Sequence, residues 1–116
     1  MLSAHITTFL KLINTQLEET SCGVTNTHHF HNVRCGIENI LSLLEYSNDV
    51  VYKADQLSRR ASDYITRHDL ISSKISDRDI SEDADRLHAT YEALAGFRVA
   101  VEQSRPNARV RRLGLA

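Results

Sequence analysis

Between Thr25 and Gly36 the chain reads TNTHHFHNVRCG, which sets His28, His29 and His31 just ahead of Cys35. Imidazole nitrogens and a thiolate are ligands for zinc, and a solvent-facing imidazole can also take a phosphoryl group or a proton. With Cys22 from the preceding stretch, Cys22, His28, His31 and Cys35 read C-x5-H-x2-H-x3-C. The ligand types suit zinc, but the spacing is not that of a zinc ribbon or finger. On a helical wheel Phe30, Val33 and Ile37 share one face, while His28, His31 and Cys35 gather on the other with Glu38 and Asn39. His29 falls on the border. A closed zinc centre on the solvent side would lack the partners that orient metal-bound histidines. The expectation is therefore no metal and no other cofactor, with the cluster forming a polar shoulder at a helix start.

A second chemical grouping is acidic: Asp77, Asp79, Glu82, Asp83 and Asp85. Carboxylates at a helix start are favoured by the helix dipole. The same run can also dock a basic surface, such as a nucleic-acid-binding groove on another protein. Tyr52 falls off the apolar stripe of its segment and suits an interface anchor. Tyr52 and the five acids are the expected partner-binding residues. The sequence contains no G-x-S-x-G, phosphate-cradling glycine loop or H-E-x-x-H. No enzymatic activity is expected.

Stepping from these residues to their carriers, Leu2, Ile6, Phe9, Leu10, Ile13 and Leu17 recur at steps of three and four, which predicts one amphipathic helix. Gly23 suits its C-terminal cap, and Thr25 and Thr27 offer N-cap oxygens for the next helix. From Thr27 to Ser72 the apolar rhythm continues, with Leu43, Val50, Leu57, Tyr64 and Ile71 at intervals of seven. One long helix is the preferred reading, and two helices broken at Ser47–Asp49 the alternative. A third stripe comprises Ile80, Ala84, Leu87, Tyr91, Leu94, Ala95 and Val101, with Glu82 and Arg86 as an exposed pair.

These segments predict an all-α, up-down bundle of three or four helices dominated by a long antiparallel hairpin, with residues 1–104 as the domain. Residues 105–116, rich in arginine and carrying the only proline, are expected to be a mobile basic tail. Composition agrees: in 116 residues there are four glycines and one proline, too few for a turn-rich sheet protein. A helix of some 40 residues would reach about 60 Å and outrun its neighbours. An uncovered apolar face then invites a protein partner or a second copy of the chain.

Charge is segregated. From Arg98 onward five arginines face one glutamate, leaving nine basic and fourteen acidic residues in the remainder. The tail could touch nucleic-acid phosphates, but an acidic body makes direct nucleic-acid binding a minor expectation. Two cysteines, no export signal and no long apolar run point to a reducing, cytoplasmic setting without membrane insertion.

Two resemblances add to this reading. HHFHNVRCGIENILSLLE resembles the phosphoacceptor helix of histidine kinases, with His28 in the acceptor position, Asn32 four residues on and an aliphatic ladder beyond. His29 stands where that family carries an acid. The resemblance implies a stand-alone phosphotransfer protein. In general character the chain also resembles phage-encoded helical anti-CRISPR inhibitors of type I systems, chiefly over YKADQLSRRASDYITRHD. That resemblance implies steric blockade of a Cas nuclease-helicase or crRNA surveillance complex in the host cytoplasm. It assigns no functional residue, and an adaptor, secretion chaperone or antitoxin would share the same features.

Overall fold

A computed structural model describes residues 4–23, 28–71 and 77–107, with the side chains of residues 69–71 and 77–79 outside the description. The described chain is all-α, with four helices: α1 (Ala4–Ser21), α2 (His29–Ser42), α3 (Asn48–Ile71) and α4 (Asp77–Glu102). The stripe foreseen for α1 is the one it buries: Ile6, Leu10, Ile13 and Leu17 meet Val33, Ile37 and Ile40 of α2. Gly36 lets the two helices approach closely. A Cβ there would lie 2.8 Å from Ile13 Cγ1 and 3.4 Å from the Phe9 carbonyl oxygen. At the end of α1, Gly23 takes φ +79, and its amide donates to the Thr20 carbonyl at 3.1 Å. That left-handed step turns the chain away from the helix at little cost only to glycine.

The single helix preferred for 27–72 is instead two. The chain turns at residues 43–47, between α2 and α3. Ser47 starts α3, its carbonyl accepting from Val51 N–H at 3.0 Å and its hydroxyl lying 3.5 Å from Val50 N. Asp49 sits in the first turn, where the helix dipole favours it. The backbone freed at the corner is satisfied from the far end of the chain. Glu45 N–H donates to the Arg105 carbonyl at 2.8 Å, and Asn107 N–H donates to the Leu43 carbonyl at 3.0 Å. Leu44 and Pro106 form an isolated antiparallel bridge, and Asn107 Nδ2 donates to the Ser42 carbonyl. Residues 105–107, read from sequence as the start of a free tail, are thus paired with the corner; residues 108–116 lie outside the described residues.

α3 and α4 form the longest pair, about 36 Å and 39 Å from their lengths. Lys53 lies over Gly96, the Arg60 carbonyl meets Thr90, and His68 meets Asp83, so the two helices run in opposite directions. Val50, Ala54, Leu57, Ala61, Tyr64 and Ile65 of α3 are buried with Phe97, Ala100 and Val101 of α4. The α4 stripe differs from the one foreseen. Val101 is buried as foreseen and Leu87, Tyr91 and Leu94 pack against the core, but Phe97, the largest apolar residue of α4, also enters it and brings Thr90 with it, each on its face by helical period. Ile80 is left 54% exposed, and Ala84 and Ala95 are also exposed. Thr90 is buried with its hydroxyl bonded to the Arg86 and Arg60 carbonyls, as a buried donor requires.

The shorter helices cover only part of this hairpin. α1 faces α4 along Tyr91, Leu94, Ala95 and Arg98, across a groove of about 420 Å³ that Thr7, Leu10, Lys11 and Asn14 close from the other side. α2 follows α3 from Val51 to Ser58, and Phe30 at its start reaches Thr66. The molecule is elongated, 53 × 23 × 18 Å.

Candidate functional site

The tip, where the last turns of α3 meet the first turns of α4, is held together from inside by polar side chains. Tyr64 and His68 sit one turn apart on α3, with ring centroids 5.6 Å apart. His68 Nδ1 lies 2.8 Å from Asp83 Oδ2 on α4. Arg86, one turn on from Asp83, brings Nη2 to 3.9 Å from Asp83 Oδ1. The side chains of His68, Asp83 and Arg86 are only 25%, 17% and 19% exposed. With the carboxylate accepting, Nδ1–H donates, which fixes the ring whether the imidazole is neutral or charged. Asp83 Oδ1 and Arg86 Nε are buried without a hydrogen-bond partner among the described residues. Burial pushes the Tyr64 hydroxyl well above the ordinary tyrosine range, and the Asp83 charge adds to the shift. Tyr91 is raised as well, first by burial and then by Glu18. A carboxylate-fixed imidazole can orient a base or tie two helices. Here the ring packs on Tyr64 and the pair spans α3 and α4, so it ties them.

The acidic run is consequently divided. Glu82 and Asp85 are exposed on the first turns of α4. Asp83, expected beside them at the surface, turns inward to His68 because it lies two heptads before Phe97, on the core face of α4. Arg86, expected to pair outwardly with Glu82, turns towards Asp83. Asp77 and Asp79 fall in the first turn of α4, with their side chains outside the described residues. Ile80 supplies the exposed apolar side chain of this region. Tyr52 is exposed, as foreseen, and its hydroxyl accepts from Gln56 Nε2 at 2.9 Å. It belongs to another part of the surface, about 24 Å along α3 from His68 by helical rise. Tyr46 and Val51 are exposed near it.

The histidine cluster separates into three environments. His28 is exposed and precedes α2 as its N-cap residue, with φ −106 and no side-chain cap bond. His29 is buried, its Nδ1 2.9 Å from Gln16 Oε1 on α1. Asn32 Nδ2 donates to the same oxygen at 3.2 Å. One carbonyl oxygen can serve both only as acceptor, which places a proton on His29 Nδ1. His31 is exposed, with Nε2 3.4 Å from Cys35 Sγ. Among the described residues no three His, Cys, Asp or Glu side chains converge as metal ligands, so Cys22, His28, His31 and Cys35 are not assembled into one site. The Asn32 side chain reaches Gln16, and its backbone N–H donates to the His28 carbonyl at 2.9 Å.

Two contacts escaped the sequence reading. Gln16 and His29 form a buried polar pair across α1 and α2, signalled only by the border position of His29. The His68–Asp83 pair was legible once Phe97 is taken as the centre of the α4 core face. No helix among the described residues is long and apolar enough to cross a membrane. Set against protein-family models, curated proteins and solved structures, the chain matches none.

Proposed function

We propose that the chain is a non-catalytic binding protein whose α3–α4 tip seats on a basic surface of another protein and blocks it by occupation. The observation that carries this reading is the form of the tip. It is tied internally by His68 and Asp83, and it presents Glu82, Asp85 and Ile80 outward. Exposed like charges steer encounter with a complementary surface, while a desolvated apolar side chain supplies the anchor. Side chains already held by the His68–Asp83 contact lose little conformational entropy on seating, which favours affinity without a large interface. The Cas nuclease-helicase and surveillance complexes implied by the sequence resemblance are partners of this chemistry, since both handle nucleic acid on basic grooves.

A photo-crosslinking side chain at position 80 tests the proposal in lysate of the source cell. Excess unlabelled protein should displace the crosslinked partner, and the Glu82→Arg/Asp85→Arg protein should not. A Glu38→Arg/Asp55→Arg protein, with the same change in net charge on the α2–α3 side, should still compete. Equal competition by all three proteins would remove the tip as the binding surface. Purified Cas complexes can be put through the same competition.

A further inference from the structure

We propose that His31 and Cys35 form an open two-point chelate for a borderline-soft divalent cation such as zinc. The two residues are one helical turn apart on the solvent side of α2, and their donor atoms already converge, with Nε2 3.4 Å from Sγ. A cation about 2.3 Å from sulfur and about 2.0 Å from nitrogen, at a tetrahedral angle, separates the two donors by about 3.5 Å. The observed separation therefore admits the ion without a change of backbone, and the rigid helix supplies the bite. In the metal-free pair the same two atoms lie within hydrogen-bond distance of each other. Binding breaks the Cys35 S–H bond, forms a sulfur–metal bond and delivers the thiol proton to solvent, while His31 Nε2 donates its lone pair. No oxidation is involved. Among the described residues no third His, Cys, Asp or Glu joins the pair, so the remaining coordination positions belong to water or an incoming ligand. This is the arrangement of an exchangeable site rather than a closed structural one.

Both residues lie away from the core, so substitution leaves the fold available for a direct test. Cobalt(II) added to the reduced full chain is expected to give a thiolate-to-cobalt charge-transfer band, saturating at one equivalent with release of one proton. Cys35→Ser should abolish the band, and His31→Ala should weaken binding about tenfold or more. Cys22→Ser should leave it intact. Zinc should displace cobalt and raise the melting temperature of the unaltered chain but not of either variant, because a metal bound across one turn staples α2. Absence of the band, an unchanged affinity in His31→Ala, or loss of the band in Cys22→Ser would each overturn the proposal.

Discussion

His68 Nδ1 lies 2.8 Å from Asp83 Oδ2, and this contact joins the last turns of α3 to the first turns of α4. The region beyond the apolar core is thereby held by a polar pair. Removing Asp83 takes the carboxylate from His68, and removing His68 leaves Asp83 only the longer contact with Arg86, at a cost of about 1–3 kcal/mol in either case. His68→Ala and Asp83→Ala should each lower the denaturation midpoint by that amount, and the double variant by less than the sum. Hydrogen exchange should quicken in α3 after Thr66 and in α4 before Arg86, with α1 and α2 unchanged. Additive losses, or exchange that rises evenly, would show that the pair does not tie the tip.

A second polar contact is predicted to be structural. Gln16→Ala removes the oxygen that accepts from His29 and Asn32 inside the α1–α2 interface. Its cost of about 1–3 kcal/mol should be partly recovered by adding His29→Leu, since an apolar pair needs no hydrogen bond. Chemical denaturation of the two single variants and the double one checks this.

Two glycines should fail for different reasons. Gly36→Ala gains about 1 kcal/mol of helix propensity but must displace Ile13, which is fully buried, and overpacking costs about 1–3 kcal/mol. A net loss is expected, smaller when Ile13→Ala is already present. At Gly23 nothing lies within 4 Å of an added Cβ, yet φ is +79. Gly23→Ala should therefore cost about 1 kcal/mol through backbone strain, and Gly23→Asn less.

Tyr64 and Tyr91 are both raised by burial. A tyrosine whose folded-state pKa is raised favours folding while it is protonated in both states. That contribution is complete below the unfolded value of about 10 and is lost as pH rises beyond it. Stability should hold up to that pH and then fall, with an accompanying late rise in tyrosinate absorbance. Tyr64→Phe should flatten the alkaline fall even if it lowers stability at neutral pH.

These contacts also show what the sequence could disclose. The α1 core was legible because Ile6, Leu10, Ile13 and Leu17 repeat with the helical period. The corner at residues 43–47 was hidden because Leu43, Val50, Leu57 and Tyr64 keep their spacing through it. What ends α2 is partly the Ser47 cap and partly backbone bonding from Arg105 and Asn107, sixty residues away. The α4 face was misjudged because Ala84 and Ala95 mark a stripe weakly, and Phe97 outweighs them in apolar area. His31 was correctly placed outside and Cys35 is half-buried beside it, whereas the burial of His29 depends on Gln16 across the helix pair. His68 and Asp83 meet only when the register of α3 against α4 is known.

The central claim is that the tip is the binding surface, and hydrogen exchange of the chain alone and with its crosslink-identified partner tests it most directly. Protection on binding should be concentrated in the first turns of α4 and the last turn of α3, and should vanish with Glu82→Arg/Asp85→Arg. Protection centred instead on Tyr46–Tyr52, or along the groove between α1 and α4, with the tip unchanged, would contradict the account.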